Sequence, residues 1–383
     1  MLRFPQYLGI AAALVIGGIT IILSNEIGVS PMAISATAPT TPAAITVATT
    51  SQGTNEKEVS TQKQSAASSS NASSSAMKVV PAVTPRSKTT AIVVPTPAVA
   101  NIPRAENVSL DSTAALLRGA LVNILCYAPA GSGLHSISGS GVFIDPKGII
   151  LTNAHVAQYF LLRDRGVLCT IRTGSPATDA YRAALIYISP TWIHTNANVL
   201  TQALPSGTGE NDFALLAVTE SETAQALPDS FPFIPLAHRE PTVFAPVVIA
   251  SFGAQFLQTS QIQTSLYPTI VFGSIKEVFT FATTTTDVLD LGGSAAAQEG
   301  SSGGGVADTS GMLVGTITTS TVQGPTESRS LSAITAAYIR AAYSREMGGS
   351  SLDTMLEEST TTSVSEFAAK IPVLESILTA TLP

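Results

Sequence analysis

The chain has 383 residues, only 12 % of them charged, and a formal net charge of −7. A typical soluble domain is about 25 % charged; with no Lys/Arg run in a net-acidic chain, a nucleic-acid partner is excluded. Two cysteines, Cys126 and Cys169, without CxxC or Cys/His spacing, exclude a zinc site, and neither metal nor cofactor is expected.

Residues 4–25, FPQYLGIAAALVIGGITIILSN, carry no charge. As a helix these 22 residues span about 33 Å at ~1.5 Å per residue, against roughly 30 Å of bilayer hydrocarbon. Arg3 and the α-amino group precede the run and Glu26 follows it, so the positive end stays cytoplasmic and the rest is exported. Cleavage as a signal peptide is the rival reading. Ala36-Thr37-Ala38 has the small-x-small pattern, but Pro39 follows and the site lies well past the apolar run. We expect residues 1–28 to be an uncleaved, single-pass transmembrane anchor. Residues 29–106 are rich in Ser, Thr, Ala and Pro, with the tract SAASSSNASSSA at 65–76. Such composition buries too little apolar surface to offset chain entropy, so a disordered linker is expected.

From Asn107 short apolar runs recur, each bounded by Gly, Pro, Asn or Asp. Six fall at 120–128, 140–145, 148–156, 167–174, 182–189 and 212–218. Six more fall at 245–253, 270–279, 286–292, 303–308, 312–318 and 328–334. Many short strands separated by turns predict an all-β sandwich or barrel. TAAYIRAAYSREM, 335–347, has helical spacing with Gly348 as its stop. Residues 348–383 form a Ser/Thr-rich, low-complexity tail whose apolar end, IPVLESILTATL, has no assigned place.

Three residues stand out by context: His155 in LTNAHV, Asp212 in GENDFALL and Ser302 in EGSSGGGV. A serine hydroxyl becomes a useful nucleophile when an imidazole takes its proton and a carboxylate holds the imidazole's tautomer. It also needs donors aimed at the developing oxyanion. A Gly/Ser run by itself reads as a linker, but here VADTSGMLVGTIT follows it as strand, turn, strand. His135, His194 and His238 have no such context and are read as surface or loop residues.

GSGVFID, GIILTNAHV, NDFALL and EGSSGGGV, in that order, resemble the trypsin-like serine proteases, and most closely the HtrA/Deg bacterial branch. The resemblance covers roughly residues 107–345. It implies two six-stranded antiparallel β-barrels of the chymotrypsin type, about 107–225 and 226–347, within a protease domain 107–347 ending in a helix. His155 would be the general base, Asp212 its orienting partner, Ser302 the nucleophile, and the N–H groups of Gly300 and Ser302 the oxyanion hole. Polypeptides would be the substrates. The His–Asp interval is longer than usual for the branch, which an extra loop at 189–210 explains. Ala296 aligns with the floor of the specificity pocket and carries no charge, so small or medium apolar side chains are expected there; Thr318 would line that pocket or back Asp212. Cys126 and Cys169 fall on the first and fourth strands, neighbours in this fold, and a disulfide is expected between them. No PDZ domain fits in the tail, and the trimers common in that branch are not readable from this sequence. Ser301, Gly305 and Glu299 depart from the usual motif, so a catalytically inactive binding domain at the cell surface stands as the alternative.

Overall fold

The computed structural model describes residues 109–202, 207–281, 285–320 and 329–382. The apolar segment 4–25 and the linker 29–106 lie outside the described residues. Among the described residues no helix is long and apolar enough to cross a membrane.

Helix α1 (Leu110–Ala120) opens the fold, capped by the Ser109 hydroxyl, which accepts from Ser112 N. Its buried face, Thr113, Ala114, Leu117 and Ala120, follows helical spacing and packs on strands of both lobes. No expectation covered this helix, because the run beginning at Ala120 drew attention to the strand alone.

The first lobe is a closed barrel of six strands: β1 (Leu121–Tyr127), β2 (Ile137–Asp145), β3 (Ile149–Thr152), β4 (Leu168–Gly174), β5 (Ala177–Ile188) and β6 (Ala214–Ser221). Their order around the barrel is β1-β2-β3-β6-β5-β4. Leu121 through Cys126 are all buried, as expected of a strand covered on both faces. Cys126 faces Cys169 directly across the β1–β4 pair, and the two form the disulfide.

The second lobe departs from expectation. In place of a closed six-stranded barrel, it is an open, seven-stranded half-barrel with order β8-β7-β11-β12-β13-β10-β9. Its strands are β7 (Pro246–Ser251), β8 (Thr269–Ser274), β9 (Glu277–Phe279), β10 (Val288–Asp290), β11 (Gly305–Asp308), β12 (Leu313–Ser320) and β13 (Leu331–Thr335). The run 270–279, read as one strand, breaks at Ile275-Lys276 and supplies both edges, β8 and β9. The edge strand β9 has only three residues, too few hydrogen-bonding groups to zip it to the other edge, β8.

Arg172 on β4 joins the lobes. It is 2 % exposed, yet its guanidinium donates to Asn123 Oδ1 (3.1 Å) and Ala177 O (2.7 Å) in the barrel. It also donates to Ile262 O (2.9 Å) and Gln263 O (2.6 Å) at the end of helix α4 (Thr259–Thr264), which belongs to the second lobe. Its Nε lies 3.0 Å from Asp179 Oδ1, close enough for an ion pair though not aligned as a hydrogen bond.

After β13 comes helix α5 (Ala336–Glu346), close to the predicted bounds. The low-complexity tail then folds into three further helices: α6 (Leu352–Glu357), α7 (Thr360–Ala368) and α8 (Ile371–Thr379). Ser351 and Ser359 cap the first two. Met355, Phe367, Leu374 and Leu378 anchor the three in the core. The tail's Ser/Thr content serves helix starts and a solvated face, while widely spaced apolar residues make the inner one.

Candidate active site

His155 sits on a single helical turn, Ala154–Ala157, directly after β3. The run that ends in NAHV is therefore strand only to Thr152. Its imidazole Nδ1 lies 2.7 Å from Asp212 Oδ2, and its backbone N–H donates to Asp212 Oδ1 at 2.9 Å. Both carboxylate oxygens thus fix His155, one through the ring and one through the chain. With Nδ1 donating to a carboxylate, Nε2 is left as the basic nitrogen. Burial opposes a charged ring. The Asp212 charge and hydrogen bond favour it more, and the imidazole pKa ends above its usual 6.5.

Asp212 is 5 % exposed and is itself held from several sides. The Thr318 hydroxyl donates to Oδ2 at 2.8 Å, and Asn153 Nδ2 donates to its carbonyl at 2.8 Å. Asn211 just before it has φ 57°, an uncommon left-handed backbone for a residue with a side chain. The Tyr338 hydroxyl holds it there, accepting from Asn211 N (3.0 Å) and donating to Asn211 Oδ1 (2.9 Å). Burial pushes the Tyr338 phenol up to about 12, so it stays protonated and able to donate.

The Ser302 loop is shaped by close backbone approach. Gly300 and Gly303 have φ +90° and +85°. A Cβ on Gly303 would stand 2.0 Å from Ser140 O, and one on Gly300 2.7 Å from Phe252 O. Glycine is required at both places. Ser140 on β2 is the hub beneath the loop. Its N–H donates to Ser302 O (2.8 Å), and its hydroxyl donates to Gly300 O (2.8 Å) and accepts from Phe252 N (2.8 Å). Its carbonyl accepts from Thr152 Oγ1 at 2.7 Å. The hydroxyls of Ser140 and Tyr338 are committed to the scaffold, and the sequence did not single them out; GSG at 139–141 was the available signal for the first.

Two further carbonyls set the direction of two amides. Glu299 O accepts from Ala254 N (2.7 Å) and Ser301 O from Gly304 N (2.9 Å). In a trans peptide the N–H points opposite the C=O. The N–H groups of Gly300 and Ser302 are thereby turned away from the scaffold, and among the described residues neither has a partner. Ser301 closes its own turn by donating from Oγ to Gln298 O at 2.6 Å.

His155, Asp212, Gly300, Ser302 and Thr318 all line one cleft of about 880 Å³ between the lobes. Among the described residues no hydrogen bond joins the Ser302 hydroxyl to the imidazole at rest, a common condition of unliganded hydrolytic sites. Ala296 does not join them: it is wholly buried and lies outside the cleft lining. Thr318 lines the cleft but spends its hydroxyl on Asp212.

A closed barrel and a half-barrel meeting at a cleft that holds serine, imidazole and carboxylate define the chymotrypsin-like class of fold. Residues 139–315 match the family model described as trypsin-like peptidase domain. This segment is a trypsin-like peptidase domain, and the protein is a serine endopeptidase. No curated protein is similar enough to count as a relative. Among solved structures, the active form of the Rv3671c protease from M. tuberculosis is 19 % identical, with 70 % of this chain and 95 % of that chain covered and a TM-score of 0.39. An inactive form of the same protease is 18 % identical, covering 61 % and 92 %, with a TM-score of 0.38. The serine endoprotease from Yersinia pestis is 20 % identical, covering 63 % and 67 %, with a TM-score of 0.41.

Proposed function

We propose that the chain hydrolyses peptide bonds through an acyl-enzyme, with Ser302 as nucleophile, His155 as general base and acid, and Asp212 as the group that orients His155. The Ser302 oxygen attacks the scissile carbonyl while Nε2 of His155 takes its proton. The carbonyl oxygen becomes an oxyanion held by the N–H groups of Gly300 and Ser302. The tetrahedral species collapses, His155 returns the proton to the departing amine, and the C–N bond breaks. Water then repeats the sequence on the ester, freeing the acid and Ser302. The observation that carries this reading is the Asp212–His155 pair, bonded through ring and backbone, opening on the same cleft as Ser302.

We further propose that residues 4–25 tether the enzyme to a membrane with the protease domain on the outer side. Their length and the charge pattern around them support this. So does the Cys126–Cys169 disulfide, which persists in oxidising compartments. Two of the three departures that motivated an inactive binding domain have structural uses of their own. Ser301 closes its turn, and Gly305 fits where a Cβ would meet Leu117 Cδ1 at 2.8 Å.

A fluorophosphonate probe tests the chemistry. Labelling at Ser302, lost in Ser302→Ala and in His155→Ala, is the expected result. Folded protein that never labels and never cleaves casein would overturn the catalytic reading. Retention in the membrane pellet after carbonate washing, lost when residues 1–28 are removed, tests the tether.

A further inference from the structure

Of the extra loop at 189–210, the described residues, 189–202 and 207–210, reach the cleft. It contains helix α3 (Pro190–Asn196) and a 3-10 turn, Ala197–Thr201. Thr191, Thr195 and Val199, four residues apart and so on one face, line the cleft together with Asn196. The opposite face, with Ile193, Ala197 and Leu200, is buried.

Two elements from the far end of the chain hold that buried face. Helix α8 packs against both α3 and the 3-10 turn, with Leu374 and Leu378, one turn apart, in the core. The Thr381 hydroxyl adds a bond to Ala197 O at 3.3 Å. At the other end, Glu346 of α5 accepts from the Ser189 hydroxyl at 2.8 Å and from the Tyr187 hydroxyl. Ser189 is also the N-cap of α3, accepting from Trp192 N at 3.1 Å.

Resting on the catalytic reading above, we propose that the α3 segment is a wall of the substrate groove that binds extended peptides through residues remote from the scissile bond, and that α8 is its buttress. The wall presents two threonine hydroxyls, an amide, the Trp192 indole and the aliphatic Val199, with no charge. It suits an uncharged extended strand of substrate. The Ser302 loop hangs on Ser140 and β11, not on α3, so loosening the wall leaves the chemistry untouched. Thr195, Asn196 and Val199 are specificity residues in this scheme, and Leu374 and Leu378 are positioning residues.

The test compares two substrates on the full chain: an internally quenched octapeptide of small apolar residues, and a single-residue anilide that reaches only the reacting centre. Thr195 is exposed and Val199 only half-buried, so Thr195→Ala and Val199→Ala leave the fold intact, which a thermal melt checks; Leu378→Ala probes the buttress. We expect KM for the octapeptide to rise about three- to tenfold in each, roughly the effect of truncating one contact residue. kcat/KM for the anilide and the fluorophosphonate labelling rate stay within about twofold of the parent. If both substrates suffer equally, or neither responds in Thr195→Ala and Val199→Ala, the wall does not bind substrate. If those two respond and Leu378→Ala does not, the buttress is refuted. Loss of Ser302 labelling in the parent protein would instead sink the catalytic reading beneath both.

Discussion

Ser140→Ala removes no group that touches substrate, yet it should damage catalysis. Its hydroxyl, wholly buried, donates to Gly300 O and accepts from Phe252 N, both at 2.8 Å. Alanine leaves a buried N–H without its acceptor, which costs about 1–3 kcal/mol, and forfeits a second bond of about 1 kcal/mol. A destabilisation of roughly 2–4 kcal/mol follows, or a fall in Tm of about 5–15 °C for a domain of this size. The Gly300 carbonyl also loses its tether, and with φ +90° and no Cβ, Gly300 is free to rotate. Removing one oxyanion donor outright costs about 10²–10³ in kcat; a donor misaimed part of the time should cost about 10–10². Steady-state kinetics on a peptide substrate, well below the mutant's Tm, should show the loss in kcat with KM little changed. A folded Ser140→Ala enzyme with parental kcat would refute the idea that this hydroxyl, by anchoring Gly300 through its carbonyl, steadies the N–H that the Glu299 peptide aims.

The acid limb of kcat/KM should lie above pH 6.5, because the general base works neutral and Asp212 raises the His155 pKa. The same shift has the opposite sign in stability: protonated His155 favours the fold below pH 6.5, and this contribution fades as pH rises through the folded pKa. Asp212→Asn should cut kcat by about 10⁴ through the wrong tautomer and, with only burial left to act, move the acid limb below 6.5; an unmoved limb would mean another group titrates. Gly303→Ala should fail to accumulate as folded protein, since its Cβ would meet Ser140 O at 2.0 Å, and circular dichroism plus thermal melting would decide. Reducing the Cys126–Cys169 bond, which closes a separation of 43 residues, should lower stability by about 2–5 kcal/mol in a denaturant titration while sparing kcat at low temperature.

Strand positions and the three candidate side chains were legible because each leaves a local mark: a short apolar run, or a rare residue inside a recurrent string. His155, Asp212 and Ser302 share the cleft as the motif order implies. Closure of the second barrel was not legible. It depends on whether the two edges, β8 and β9, pair with each other; only Ile275 and Lys276 separate them in the chain, and that break carries no Gly or Pro to announce it. The tail helices were hidden by composition: Ser351 and Ser359 looked like filler, although capping is what serine does best at a helix start. Ala296 was assigned to the pocket floor by the resemblance alone, and it is wholly buried in the core. Ser140 and Tyr338 act through backbone groups, and backbone contacts between distant segments have no signature in one sequence.

Arg172 has a consequence for how the molecule comes apart. Its guanidinium cannot shed its proton, and its acceptors come from both lobes. Prising the half-barrel off the barrel would cost this cation the two carbonyls that α4 supplies, so the two halves hold each other. Calorimetry on the folded region should record one sharp endotherm, and trypsin should find no long-lived nicked intermediate on the way.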